Sequence, residues 1–227
     1  MSRSLNTSEP EAGLIEAGLI EAGLIQALHH QPLLVVLRAF DPLELAESLE
    51  RLQSLGVHQV EIAWSAHPQW VPHCALLRQR FPRLHLGAAS VLDGAGLEAA
   101  ATAGLAYVVS PVLDRQLVDR ARQLRLPLVP GVLSPTEVYQ ARLWGCSLVK
   151  LFPAITVGKA YWQRLAGPLG GERSLPHCIA AGGLRPADVE PWLEAGVDAV
   201  ALGGALANDA EWEALAALVE RLGERSR

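Results

Sequence analysis

The chain has 227 residues, half of them hydrophobic, and a formal net charge of −5. That length suits a single α/β barrel with a large core, and the charge gives no electrostatic reason to expect nucleic acid or an anionic membrane as partner. No apolar run approaches the roughly 20 residues of a membrane span.

The N-terminus, MSRSLNTSEP, has no apolar stretch where a secretory signal would carry one. Cys74, Cys146 and Cys178 stand far apart without CxxC spacing, which argues against a disulfide scaffold and a zinc site. The expected location is a reducing cytoplasm.

Residues 11–25 repeat the pentapeptide EAGLI three times. A step of five advances about 140° around a helix, so the Leu/Ile pairs share no face, and each copy carries a helix-weakening glycine. Residues 1–20 are expected to form a weakly ordered leader, followed by a barrel domain over 21–227. Leu24, Ile25 and Leu28 are expected to form a short helical segment docked on the barrel floor.

From residue 33 onward short apolar runs alternate with helical patterns. The predicted strands are Leu33–Arg38, Val57–Ile62, Leu84–Ala89, Ala106–Val109, Leu128–Pro130, Leu148–Phe152, Cys178–Ala181 and Ala199–Leu202. Between them apolar residues recur at helical spacing, as in Leu43, Leu45, Leu49, Leu52, Leu55 and in Leu117, Val118, Ala121, Leu124. Gly56, Gly104, Gly145 and Gly196 each follow such a helix, where a left-handed cap is needed. Eight strand–helix units predict an α/β fold, a closed (β/α)8 barrel of the TIM type. An open doubly wound sheet is the competing architecture.

Barrels of this kind gather chemistry at the C-terminal ends of their strands. There the sequence places Arg38, Glu61, Ser90, Ser110-Pro111, Lys150 with Phe152, and the pairs Gly182-Gly183 and Gly203-Gly204. The chain has seventeen arginines and only two lysines, Lys150 and Lys159. Lys150 lies inside an apolar strand, where burial lowers an ammonium pKa and makes the amine a nucleophile toward a carbonyl. The competing reading is a strand-end lysine that snorkels to solvent. Glu61 alternates with Val60 and Ile62, so it points into the barrel, where a carboxylate can move protons. Its structural alternative is an ion pair with Arg38 or Lys150. The glycine pairs let a backbone approach an anion closely, ahead of helices with free N–H groups.

The remaining polar and aromatic residues are bland by comparison. The seven histidines show no ligand spacing and are expected at surfaces or interfaces. The six tryptophans are expected to serve packing, with Trp64, three residues past Glu61, the one that could wall the pocket.

With these residues in view, the chain from about Ile25 to Leu222 resembles the 2-keto-3-deoxy-6-phosphogluconate aldolases and 4-hydroxy-2-oxoglutarate aldolases. The matching stretches are VVLRA (35–39), GVHQVEI (56–62), LGAASVL (86–92), VVSPVLD (108–114), LPLVPGVLSPTE (126–137), LVKLFPA (148–154), AAGGL (180–184) and ALGGAL (201–206). The resemblance implies a homotrimer of barrels, with Lys150 as Schiff-base lysine and Glu61 as acid/base. It also implies the glycine pairs as phosphate cradle.

Three departures bear on substrate choice. Ser65 stands where many relatives have arginine, while Arg38 matches a second branch with an arginine ending strand 1. Ala89 replaces a glycine of the GAGTV motif, whose hydroxyl survives as Ser90. Ala181 replaces the threonine of PTGG.

The expected function is a lyase that cleaves 2-keto-3-deoxy-6-phosphogluconate to pyruvate and glyceraldehyde 3-phosphate without metal or organic cofactor. Lys150 and Glu61 would be catalytic. Arg38, Ser90, Pro111, Phe152, Gly182, Gly183, Gly203 and Gly204 would bind substrate, with Arg38 and Ser90 on its C1 carboxylate. Alternatives are the same lysine chemistry on 4-hydroxy-2-oxoglutarate or oxaloacetate, and a non-catalytic metabolite-binding barrel.

Overall fold

The computed structural model describes residues 21–171, 174–204, 206 and 208–225. The leader expected over 1–20 lies outside the described residues. In chain order the elements are helix α1 (21–30), β1 (Leu33–Leu37), α2 (Ala46–Leu55), β2 (Gln59–Ala63), α3 (Trp70–Arg80), β3 (His85–Ala89), α4 (Gly94–Thr102) and β4 (Val108–Val109). They continue with α5 (Arg115–Gln123), β5 (Leu128–Val129), β6 (Gly131–Val132), α6 (Pro135–Leu143), β7 (Leu148–Leu151), α7 (Tyr161–Ala166), β8 (His177–Ala181), α8 (Val189–Glu194), β9 (Ala199–Gly203) and α9 (Asp209–Arg225).

All pairings are parallel, in the order β5-β4-β3-β2-β1-β9-β8-β7-β6. The predicted strand Leu128–Pro130 is thereby corrected. Proline has no N–H for a ladder, so the run breaks at Pro130 into β5, paired with β4, and β6, paired with β7. The Pro130 carbonyl still accepts from the Lys150 amide at 2.9 Å. One interrupted run thus joins the two ends of the order, and the sheet closes as a barrel with eight strand positions.

Strand periodicity sorts the side chains into two cores. Val60 and Ile62 on β2, Val149 and Leu151 on β7, and Val200 and Leu202 on β9 face the surrounding helices. Leu34, Val36, Leu148, Ile179, Ala181, Ala199 and Ala201 fill the barrel interior. Leu24 and Leu28 of α1 join that inner group and plug the floor, each burial contributing about 1.5–3 kcal/mol. The same helix is pinned by Glu21, whose carboxylate accepts from the amides of Ser147 and Leu148 at 3.1 and 3.2 Å and from the Ser147 hydroxyl at 3.2 Å.

Helix ends follow local chemistry. Asp93 and Asp114 cap α4 and α5, and Ser134 with Glu137 forms a capping box on α6. Gly56, Gly104, Gly145 and Gly196 adopt φ of 80°, 71°, 74° and 88°, as their position after helices predicts. The connector after α5 reaches the same region with Arg125 instead. No helix among the described residues is long and apolar enough to cross a membrane.

Candidate active site

Lys150 occupies the inner face of β7, because Val149 and Leu151 face outward. It is 6% exposed. Burial, and secondarily the positive Arg38, lower its pKa from the ordinary lysine value, while Glu61 works in the opposite direction. The amine lies 5.1 Å from the centre of the Phe152 ring. An amine held this way is easier to deprotonate than one in water, which nucleophilic attack requires.

Glu61 faces it across the barrel from β2, at 1% exposure. Desolvation pushes its pKa up to about 7, with Lys150 and then Arg38 pulling the other way. The expected structural ion pair with Arg38 or Lys150 is not formed. Its Oε2 is buried without a hydrogen-bond partner among the described residues, so the two cations act on it through space. A carboxyl that titrates near neutrality can both take and return a proton at working pH.

Arg38 and Ser90, 52 residues apart, meet at the mouth, where an Arg38 Nη1 donates to Ser90 Oγ at 2.8 Å. Ser90 holds this position with φ of 62°, uncommon for a residue with a side chain. Arg38 also lines a depression of about 280 Å³ together with Val36, Leu45, Ser48 and Gly204. Ser65 donates its hydroxyl to the Phe40 carbonyl at 2.6 Å.

The glycine pairs lie at the ends of neighbouring strands, since Ala181 and Ala201 are register partners. Gly182 and Gly183 have φ of 95° and 81°, and a Cβ on Gly182 would fall 2.9 Å from the Phe152 ring. The Phe152 ring and the Gly182 backbone therefore depend on each other. Gly203 and Gly204 are exposed at the same mouth. Pro111 is half-buried, and its carbonyl carbon would lie 2.3 Å from a Cβ on Gly131, so only glycine allows that approach.

Other expectations are corrected or extended. Trp64 does not wall the pocket; its ring packs edge-on against Trp70 at 4.8 Å and over Gly96 of α4. The other tryptophans do serve packing, with Trp70, Trp162, Trp192 and Trp212 buried. Histidines distant in sequence converge into two groups, His29/His177/Asp198 and Asp41/His67/His73, whose potential ligand atoms lie within 4.8 Å of one another. Linear spacing could not show this, because each group draws on elements far apart in the chain: α1, the start of β8 and the turn before β9 in the first, the segment after β1, the segment before α3 and α3 itself in the second. Their atoms already bond locally: His73 Nδ1 to Asp41 at 2.7 Å, the Gln69 amide to His67 Nδ1 at 3.2 Å, and His177 Nδ1 to Asp198 at 3.0 Å. Sequence reasoning also passed over Tyr107 and Gln59, both buried and polar. For Gln59 the signal was its inward parity with Glu61, two residues on.

Residues 24–218 match the family model described as KDPG and KHG aldolase. Among curated proteins, the chain is 27% identical over 176 residues to the 2-dehydro-3-deoxy-6-phosphogalactonate aldolase of Escherichia coli K12, covering 77% of this chain and 84% of that one. It is 33% identical over 147 residues to the 2-dehydro-3-deoxy-phosphogluconate aldolase of Pseudomonas aeruginosa, covering 64% of each. Among solved structures, the KDPG aldolase of Legionella pneumophila, with pyruvate captured as a covalent carbinolamine intermediate, superposes with a TM-score of 0.72 at 24% identity, covering 91% of this chain and 97% of that one. That likeness shows a shared fold.

Proposed function

The chain belongs to the KDPG and KHG aldolase family of lyases, and we propose that it is a Schiff-base aldolase cleaving 2-keto-3-deoxy-6-phosphogluconate to pyruvate and glyceraldehyde 3-phosphate. The observation that carries this reading is Lys150, buried on the inner barrel wall with a lowered pKa opposite a carboxyl that titrates near 7. The carbinolamine in the Legionella relative supports it by analogy.

In this mechanism the neutral amine of Lys150 attacks the C2 ketone, and the carbinolamine, its hydroxyl protonated by the Glu61 carboxylic acid, loses water to give an iminium. Glu61 as carboxylate removes the C4 hydroxyl proton. The C3–C4 bond then breaks, its electron pair flows into the iminium to form an enamine, and the aldehyde departs. Glu61 returns its proton to C3, and hydrolysis frees pyruvate and the lysine. Arg38 and Ser90 hold the C1 carboxylate through charge-assisted hydrogen bonds. Phe152 and Pro111 wall the reacting carbons. Gly182, Gly183, Gly203 and Gly204 offer backbone N–H groups to the phosphate.

Borohydride added with pyruvate should inactivate the protein through one covalent adduct, and peptide mapping should place it on Lys150. An adduct on Lys159, which is exposed beyond β7, or no adduct, overturns the mechanism.

A second reading keeps the same lysine and changes the substrate to 4-hydroxy-2-oxoglutarate or oxaloacetate. It draws on Ala181, which brings no hydroxyl to the end of β8. Pyruvate release from a panel of 2-oxo acids separates the two. The proposal includes assembly as a homotrimer, to be checked by light scattering on the intact chain.

A further inference from the structure

The barrel interior holds a buried hydroxyl that the proposed chemistry leaves unused. Tyr107, immediately before β4, is 1% exposed and packs inside the barrel with Val36, Ala89 and Val109. Glu61 is the register partner of Gly87, and the next residue, Ala88, donates its amide to the Tyr107 carbonyl at 2.9 Å. Glu61, Gly87 and Tyr107 therefore stand in one row across β2, β3 and the entry to β4.

Gly87 is the vacancy in that row. A Cβ there would fall 2.5, 2.6 and 2.8 Å from three ring carbons of Tyr107, the closest being Cε2 and the hydroxyl-bearing Cζ. The phenol thus lies over the glycine backbone, in the space between its own strand and that of Glu61. Neighbouring strands are about 4.8 Å apart, so a tyrosine leaning across one empty position brings its hydroxyl to the next strand. The electrostatic effect of Glu61 on Tyr107 agrees with this proximity.

Three buried polar atoms in this region have no hydrogen-bond partner among the described residues: Tyr107 Oη, Glu61 Oε2, and Oε1 of Gln59, one step along the same inward face of β2. Buried polar groups are rarely left so. Two acceptors and one hydroxyl match a single water molecule, which can donate twice and accept once. Buried waters typically make about three such bonds.

We propose that Tyr107 is a positioning residue for Glu61, its hydroxyl donating to a buried water that in turn donates to Glu61 Oε2 and Gln59 Oε1. The water holds the Glu61 carboxyl in one orientation and favours its ionised form. Tyr107 remains a donor at working pH, because burial, reinforced by the Glu61 charge, raises its own pKa. The other groups acting on Glu61 are Lys150 from β7 and Arg38 after β1. They attract the carboxylate without contacting it, so orientation falls to the water and Tyr107. The catalytic part of this inference rests on Glu61 acting as the acid/base proposed above; the structural part does not.

The test is Tyr107→Phe, which keeps the ring over Gly87 and removes only the hydroxyl. Carbon-13 NMR of the Glu61 carboxyl in the intact protein should show its midpoint raised by roughly half a unit to one unit, because the carboxylate loses a hydrogen-bond donor. The low-pH limb of the kcat profile should move the same way, with KM changed less than about twofold. Gln59→Met, which removes the third partner, should shift the Glu61 midpoint in the same direction and by less. An identical Glu61 midpoint in wild type and Tyr107→Phe overturns the link between the two residues. A raised midpoint with an unchanged kcat profile overturns the positioning role. Failure of wild type to trap pyruvate on Lys150 removes the aldolase reading instead, and the titration still decides the link.

Discussion

An Arg38 guanidinium nitrogen donates to the Ser90 hydroxyl at 2.8 Å, joining the segment after β1 to the segment after β3 at the barrel mouth. A guanidinium so anchored has its remaining donors directed by a fixed neighbour, which suits recognition of a carboxylate. Arg38 is exposed, so water screens the pair more than in a closed pocket. Arg38→Ala should therefore lower kcat/KM by roughly 10- to 100-fold, equivalent to about 1.4–2.8 kcal/mol. Arg38→Lys should recover only part, since an ammonium cannot make the fork. Wild-type steady-state kinetics in Arg38→Ala would assign the carboxylate to other groups.

Glu61 makes the fold pH-sensitive. Its folded pKa of about 7 lies above the ordinary value of 4.5. A carboxyl raised in this way favours the folded state when protonated; that contribution is complete below about pH 4.5 and is lost as pH rises through about 7. Glu61→Gln removes the titration. Relative to wild type, the variant should gain on the order of 3 kcal/mol between pH 4.5 and pH 8. Urea unfolding at the two pH values reads this difference, and parallel stability profiles would show that Glu61 is not desolvated as the fold indicates.

Gly87 should tolerate no side chain while Tyr107 is present. The Cβ of Gly87→Ala would meet the ring at 2.5 Å, and overpacking of this kind costs about 1–3 kcal/mol. In a Tyr107→Leu background the same substitution should cost less than half as much. Equal costs in both backgrounds would trace the penalty to the backbone of β3 and not to the ring.

Residues on either side of the boundary at residue 20 should behave differently. Removing residues 1–20 is expected to leave melting temperature and turnover nearly unchanged, because their apolar residues share no helical face. Glu21→Ala should cost about 1 kcal/mol, since the part-buried Leu148 amide and the exposed Ser147 amide and hydroxyl lose their acceptor. Thermal melts of both variants check this, and a large loss in the truncated chain would make the repeat a structural element.

What the sequence by itself determined is local. Period-two alternation sent Glu61 inward with Val60 and Ile62 outward, and an apolar run marked Lys150 for burial, because successive strand residues face opposite sides of the sheet. Glycines after helices and the order of strands and helices were likewise legible, since each depends on neighbours within a few residues. The tertiary structure decided everything that depends on closure. It split the fifth strand at Pro130 and yet joined it to both β4 and β7. It placed Lys150 opposite Glu61 without an ion pair, which converts a charged pair into two groups with pKa values displaced by burial. It turned Trp64 outward onto Trp70, gathered histidines from elements far apart in the chain, and laid Tyr107 over Gly87. Those relationships depend on barrel curvature and cross-strand register, which bring together residues tens of positions apart and leave no periodic trace along the chain.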